Sequence, residues 1–165
     1  MSESLAKAQE FLAAQKVRKS RGDRGKFAEG SVKKFLDKRK AEDAHFDYER
    51  YYDARSAGGR FPSQIADYGF YFTEGKEKSF HGVIEVKEVE HTFRLPKKNF
   101  DPDKFPRLAR RRQAGGAIII LVCFMPAKLW RIVPFEYFES LRAQPSWDLT
   151  DFPTYKSVED AINSL

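Results

Sequence analysis

Two apolar-rich runs on either side of a polar stretch constrain this chain more than any other feature of its sequence. The runs fall within residues 65–87, and the polar stretch between them covers residues 73–79. This pattern predicts a β-hairpin with a fairly long loop. With the centre of the turn at Lys76, Asp67 lies opposite Glu85. Directly opposed side chains in such a pair have Cβ atoms roughly 4.5–5.5 Å apart.

The predicted hairpin gathers charge on one face. Side chains alternate across a strand, so Glu85 and Lys87 share a face while Ile84 and Val86 point to the other. Two carboxylates, those of Asp67 and Glu85, therefore converge with one ammonium on a small patch. Like charges directly opposed destabilise a sheet, which indicates a bound cation. Carboxylate oxygens with phosphate nearby suit Mg²⁺. The Asp…Glu-x-Lys pattern thus predicts metal-assisted phosphodiester hydrolysis.

A structural interpretation of the same residues stays open. Glu-x-Lys is a weak string, and a second copy occurs at Glu74 and Lys76 in the polar turn, where no apolar neighbours hold it in place. In that interpretation the acidic pair has no catalytic role, and the chain is a non-catalytic DNA-binding module. Cleavage of any DNA in the presence of Mg²⁺ would exclude the non-catalytic module.

The charge of the chain predicts a nucleic-acid partner. The 165 residues carry 30 Lys and Arg against 24 Asp and Glu, a net charge of +6. Basic surfaces of this kind usually bind nucleic acid, although an arginine-rich helix face or a charged linker can simply be solvated. Twelve cations against five anions fall within residues 1–40, so we predict a basic N-terminal helix and arm over residues 1–26 and one domain over residues 27–165. The residues predicted to contact DNA are Arg18, Lys19, Arg21, Arg24, Lys26, Arg55, Arg60, Lys97, Lys98, Lys104, Arg107, Arg110 and Arg111.

Hydrophobic periodicity predicts the order of the elements. A strand, a helix and a strand in succession after the turn predict a parallel crossover. The whole order predicts an α/β fold, a three-layer α/β/α core with a mixed central sheet. Helices are predicted over residues 25–40, 103–114, 135–141 and 157–165, and strands within residues 46–52, in the hairpin, and over residues 117–124 and 129–133.

Several short motifs in a fixed order resemble those of one enzyme family. They are Pro62 and Ser63, ADY at 66–68, EVKE at 85–88, LPKKNF at 95–100 and the glycine pair at 115–116. Together they resemble the RecU-type Holliday junction resolvases, which belong to the PD-(D/E)XK, or restriction-endonuclease-like, nuclease superfamily. The resemblance covers roughly residues 61–124, with a looser echo at Arg24, Gly25 and Glu29.

The resemblance implies a fold, a reaction and a cofactor. It implies the α/β/α core of the superfamily and a Mg²⁺-dependent endonuclease that cuts four-way DNA junctions symmetrically, with Mn²⁺ as a substitute. Asp67 and Glu85 would hold the metal, joined by Glu29 and the backbone carbonyl of Val86. Lys87 would orient the attacking water and offset charge on phosphorus. The products would carry a 5′-phosphate and a 3′-hydroxyl, and the enzyme would act as a homodimer.

Two departures from the family leave another function open. Lys104 stands where the family usually has a glutamine, and the loop over residues 53–60 is shorter than the insertion that projects toward the junction centre. A restriction or repair endonuclease of the same fold, acting on other DNA, is therefore the alternative. Comparing a junction with linear duplex separates the two.

The remaining features predict the cellular compartment of the protein and its interactions with membranes, zinc and a second copy. Cys123 is the single cysteine, so no intrachain disulfide forms, and a reducing cytoplasm is predicted for a bacterial or phage-encoded protein. No signal peptide or membrane-length apolar run occurs, so no membrane partner is predicted. The three histidines lack partners at zinc spacing. Aromatic-rich residues 46–52 and 147–155 are predicted to supply the dimer interface.

Overall fold

The computed structural model describes residues 26–52, 64–74, 78–90, 93–125 and 127–165. Nearly all of the predicted N-terminal arm lies outside these ranges. So do six of the cations predicted to contact DNA, which are Arg18, Lys19, Arg21, Arg24, Arg55 and Arg60. The elements are α1 (Lys26–Glu42), β1 (Phe46–Arg50), β2 (Tyr68–Glu74), β3 (Lys78–Val89), β4 (Arg94–Pro96), a 3-10 turn (Lys97–Asn99), α2 (Lys104–Gln113), β5 (Ala117–Phe124), β6 (Leu129–Val133), α3 (Phe135–Ser140), β7 (Ser146–Asp148) and α4 (Val158–Ile162).

Five strands form the main sheet in the order β1-β2-β3-β5-β6. β3 and β5 are parallel and α2 connects them, whereas every other pair of neighbours is antiparallel. The predicted mixed sheet and parallel crossover are therefore confirmed. None of the helices in the described ranges is long and apolar enough to span a membrane.

The hairpin has the register that the sequence predicts. Tyr68 pairs with Ile84 at one end of the ladder, and Glu74 pairs with Lys78 beside the turn. Both pairs are centred on position 76, the predicted centre. β2 begins at Tyr68, so Asp67 and its predicted partner Glu85 lie just beyond the last pair of the ladder.

Helices cover both faces of the sheet, as a three-layer α/β/α core requires. Alternate residues of β3 show the two sides: Val83 packs with α2 and α3, and Ile84 packs with α1 and α4. Each face has its own apolar cluster, because a strand in the middle of such a sheet is buried on both sides. The predicted architecture is confirmed.

Gly115 determines where α2 ends. Gly115 has a φ of +84°, a left-handed conformation that favours glycine, and its N–H bonds the Arg112 carbonyl at 2.9 Å. The chain then turns directly into β5, which is fully buried from residue 120 to residue 124. Cys123 lies in this buried part, where burial raises the pKa of its thiol to about 12.

A second sheet, which the sequence does not predict, buries one of the aromatic side chains of residues 147–155. β4 and β7 pair antiparallel, with Leu95 opposite Trp147. Trp147 is fully buried and contacts the rings of Phe100, Phe105 and Phe138. Residues 147–155 therefore contribute their largest side chain to the core of their own chain, so Trp147 is not available to a dimer interface. That the rest of residues 147–155 supplies such an interface stays a prediction.

Candidate active site

Asp67 is held in place by three hydrogen bonds at the point where β2 begins. Its N–H donates to the Ile84 carbonyl at 3.1 Å, and its carbonyl accepts from the Tyr51 N–H at 2.9 Å. One carboxylate oxygen, Oδ2, accepts from the Val86 N–H at 2.6 Å. The first bond is one residue out of the register of the hairpin, since Ile84 is the partner of Tyr68, and the bond from the Val86 N–H directs the carboxylate toward β3.

The environment of Asp67 favours its protonated form. Burial is the largest cause, and repulsion from the Glu85 carboxylate is the next. Together they raise the pKa of Asp67 from 3.8 to about 6, although nearby ammonium groups and the Val86 N–H act in the opposite direction. Two carboxylates close enough to raise a pKa are the arrangement that the hairpin register predicts.

Glu85 is fully buried, and two lysines contact its carboxylate. Lys87 Nζ lies 2.5 Å from Glu85 Oε1, and Lys104 Nζ lies 2.8 Å from both oxygens. Both lysine side chains are largely buried, 15% exposed for Lys87 and 13% for Lys104. A buried charge is tolerated only when it is paired and hydrogen-bonded, and the two ammonium groups meet that condition.

Lys87 stays charged in this position. Burial lowers the pKa of Lys87, but attraction to Glu85 and Asp67 outweighs it, and the net effect raises the pKa above its usual value. The ammonium also lies 5.2 Å from the centre of the Phe100 ring, a cation–π distance. The strand and this ring together orient a permanent positive charge beside the two carboxylates.

The oxygen atoms at this point fit a hard divalent cation. The N–H and C=O of one strand residue point to the same side, so the Val86 carbonyl faces the side on which Asp67 accepts the Val86 N–H. Among the described residues, no group of three or more His, Cys, Asp or Glu side chains could hold a metal. Mg²⁺ binds through one or two carboxylates, keeps several waters and takes further oxygens from phosphate. The pair Asp67 and Glu85, with the Val86 carbonyl, suits it.

A cleft lined by arginines lies on the same face of the sheet. Its volume is about 580 Å³. His81 contributes from β3 and alternates in phase with Val83 and Glu85, so the cleft and the carboxylates share the α2 face. Arg112 is directed elsewhere, since it bonds Glu136 and Glu139 of α3. The cleft is lined by Ile65, His81, Pro106, Arg107, Arg110, Arg111 and Ala114.

Comparisons with known proteins give a single kind of match. No protein-family model matches the chain, and no curated protein matches it. Among solved structures, the chain is similar to Hjc, a Holliday junction resolvase from the archaeal hyperthermophile Archaeoglobus fulgidus. The identity is 19%, the match covers 79% of this chain and 98% of that one, and the TM-score is 0.47.

Glu29, the third predicted acidic ligand, does not join the pair in this structure. Its carboxylate bonds Arg50 Nη2 at 2.9 Å, and its backbone carbonyl accepts from the Tyr68 hydroxyl at 3.0 Å. It is close enough to contribute to the raised pKa of Lys87. A role for Glu29 in metal binding or catalysis stays a prediction.

Two predicted DNA contacts differ in where the structure places them. Lys104 lies against Glu85 inside the acidic site, whereas Lys98 is exposed on the 3-10 turn. The sequence carried a signal for the first of these, because Lys104 occupies the position at which the resembled family has a glutamine. Neither Arg50 as a partner of Glu29 nor the Phe100 ring beneath Lys87 had such a signal.

Proposed function

We propose that this chain is a Mg²⁺-dependent endodeoxyribonuclease of the PD-(D/E)XK superfamily that cuts four-way DNA junctions. One observation carries the proposal: the carboxylates of Asp67 and Glu85 and the Lys87 ammonium meet on the sheet face that also carries an arginine-lined cleft. Burying a charge costs several kcal/mol of hydration free energy. A buried cluster of titratable groups on the same face as a cleft is therefore a candidate for catalysis.

Each residue would have a distinct part in hydrolysis. Asp67 and Glu85, with the Val86 carbonyl, would hold the cation. A bound divalent cation would supply charge neutralisation at the phosphate and a lower pKa for water. Lys87 would donate hydrogen bonds to the attacking water and to a phosphate oxygen, offsetting charge that develops at phosphorus. The water oxygen would form the new bond to phosphorus as the bond to the 3′ oxygen breaks. The attacking water would lose a proton to solvent, and the leaving 3′ oxygen would take up a proton to become a hydroxyl.

The arginines of the cleft would bind the DNA backbone. Arg110 and Arg111 lie one after the other on α2, and Arg107 precedes them by about one turn on the same side. Guanidinium groups bind phosphate through paired hydrogen bonds. The cleft would therefore position a strand so that one of its phosphates reaches the carboxylates.

Selectivity for a junction cannot come from these groups alone. The cation and Lys87 would each contact one phosphate, and a phosphate is the same in a junction and in a duplex. Two active sites held at a fixed separation would recognise a junction, and a dimer with two-fold symmetry provides that. β1 is an edge strand of the sheet, and Tyr52 just after it is 68% exposed, so residues 46–52 are our candidate for the interface.

A labelled four-way junction tests the reaction. We expect paired 5′-phosphate and 3′-hydroxyl products with Mg²⁺, and none with EDTA or with D67N. Equal cleavage of linear duplex would favour a restriction or repair endonuclease instead. Binding without cleavage under every divalent cation would leave a non-catalytic DNA-binding module.

A supercoiled cruciform plasmid tests the dimer. A dimer makes both nicks within one binding event, so linear product should form directly. Nicked circles as the dominant early product, or a monomer by light scattering, would overturn junction resolution while leaving nuclease activity intact.

A further inference from the structure

The Lys104 ammonium occupies a position on the Glu85 carboxylate that a metal cation could also take. It lies at 2.8 Å from each carboxylate oxygen, whereas the Lys87 ammonium is close to Oε1. A position equidistant from both oxygens is also the one that a bidentate carboxylate offers to a metal.

Charge balance limits how many cations the site can hold at once. The two carboxylates of Asp67 and Glu85 are matched by two ammonium groups, those of Lys87 and Lys104. A divalent cation added with both lysines in place would leave two excess positive charges in a buried site, which is strongly unfavourable. One ammonium must therefore leave Glu85 when a divalent cation binds.

Of the two ammonium groups on Glu85, that of Lys104 is held in place by fewer favourable interactions than that of Lys87. Lys87 projects from the middle of β3 and lies over the Phe100 ring. Lys104 is the first residue of α2, where the N-terminal end of the helix dipole repels a cation, and α2 has no acidic residue in its first turn. It also stands next to Phe105 and Pro106 at the start of the helix whose arginines line the cleft. A displaced Lys104 would therefore lie at the start of the helix whose arginines are proposed to bind the DNA backbone.

We propose that Lys104 is an internal counter-ion of the metal site, bound to Glu85 in the free protein and displaced from it by the divalent cation. This inference rests on the proposed function, because it requires that Asp67 and Glu85 bind a metal. It makes Lys104 a positioning residue that sets the metal affinity of the site, and it explains how a lysine can replace the glutamine of the resembled family.

The test measures metal binding without DNA and without turnover. Titration calorimetry with Mn²⁺ would be done on the wild-type chain, on K104Q and on K38Q. Removing the competing ammonium should tighten the Kd for Mn²⁺ by about tenfold or more in K104Q. K38Q is the matched control, since Lys38 Nζ lies 3.0 and 3.3 Å from the two oxygens of Glu159 but is exposed, and its Kd should equal that of the wild type.

Stability gives a second readout that a purely structural lysine would not reproduce. Without metal, K104Q should melt at a lower temperature than the wild type, because Glu85 loses a partner; saturating Mn²⁺ should remove most of that difference. If K104Q is unfolded without metal, saturating Mn²⁺ should fold it, because the cation binds only the folded state.

The outcomes separate this inference from the function on which it rests. Equal or weaker Mn²⁺ binding by K104Q, with normal binding by the wild type, would overturn the counter-ion role alone. No Mn²⁺ binding by either protein would overturn the metal site itself, and the proposed nuclease with it.

Discussion

Each face of the central sheet carries a lysine–glutamate ion pair, and the two pairs differ in how far they are buried. On the α1 and α4 face, Lys38 contacts both oxygens of Glu159, and each side chain is about half exposed. On the α2 and α3 face, Lys104 contacts both oxygens of Glu85, and the pair is almost completely buried. Exposed pairs contribute at most about 1 kcal/mol, while each buried ion loses several kcal/mol of hydration. The buried pair is therefore better explained by function than by stability.

Not every buried charge on that face belongs to the candidate site. Arg131 of β6 is 5% exposed and donates to the Leu149 carbonyl, and its guanidinium lies 4.4 Å from the centre of the Phe93 ring. Burial lowers the pKa of this arginine. Leu149 directly follows β7, so Arg131 joins the main sheet to the region of the small one. Its contacts are backbone and aromatic rings, and we assign it a structural role.

The largest effect should follow from removing either carboxylate on the buried face. D67N and E85Q should each lose more activity than the roughly 10²–10³-fold that removal of one electrostatic stabiliser costs. Junction affinity should stay within a few-fold, since less negative charge faces the phosphates. Single-turnover cleavage and gel-shift assays measure both quantities. E159Q on the opposite face is the control, and near wild-type cleavage by D67N or E85Q would show that the site is wrongly assigned.

The next effect concerns the lysine beside the pair. K87A should lower the single-turnover rate by about 10²-fold, the scale of one lost electrostatic stabiliser. The rate loss should persist at saturating metal, because the missing ammonium acts on the attacking water and the phosphate and is not itself a metal ligand. K38A provides the matched loss of a lysine from an exposed pair. A large loss of DNA affinity at an unchanged rate would make Lys87 a phosphate anchor instead.

The raised pKa of Asp67 predicts how stability depends on pH in the metal-free protein. Since the folded-state pKa of about 6 exceeds the ordinary 3.8, Asp67 favours the folded state below about pH 4, and this contribution is lost as pH rises through 6. The loss is at most about 3 kcal/mol. D67N should lack it, so its free energy of unfolding relative to wild type should rise between pH 4 and pH 7. Urea denaturation at both pH values measures this, and a constant difference would contradict the shift.

The smallest effect separates two neighbouring arginines of α2. R110A should weaken binding to all DNA about equally and reduce the log–log salt slope by about 0.9, the value for one phosphate contact. R112A should leave the slope unchanged, because Arg112 pairs with Glu136 and Glu139 on the other side of the helix. Fluorescence anisotropy across a salt series measures the slope. Equal slopes for R110A and wild type would mean that the cleft does not bind the DNA backbone.

Local patterns were sufficient to predict the centre of this molecule. The turn and the alternation in the hairpin led to the pairing of Tyr68 with Ile84 and to Asp67 next to Glu85. The limits of β5 and β6 agree with the prediction, and α4 begins at the predicted end of its helix, where Ser157 accepts from the Asp160 N–H. These features depend on neighbours in the chain or on one hairpin, so periodicity and residue type contain the necessary information.

Contacts between residues far apart in the chain were decided by the tertiary structure. β4 and β7 are three residues each and pair Arg94 with Asp148, and strands so short have no periodicity to detect. The sequence placed Lys104 on a cationic helix, but only the packing of α2 on β3 brings its ammonium to Glu85. In the same way, Glu29 meets Arg50 because α1 crosses β1. A side chain's partner across the core depends on how layers pack, which sequence spacing does not specify.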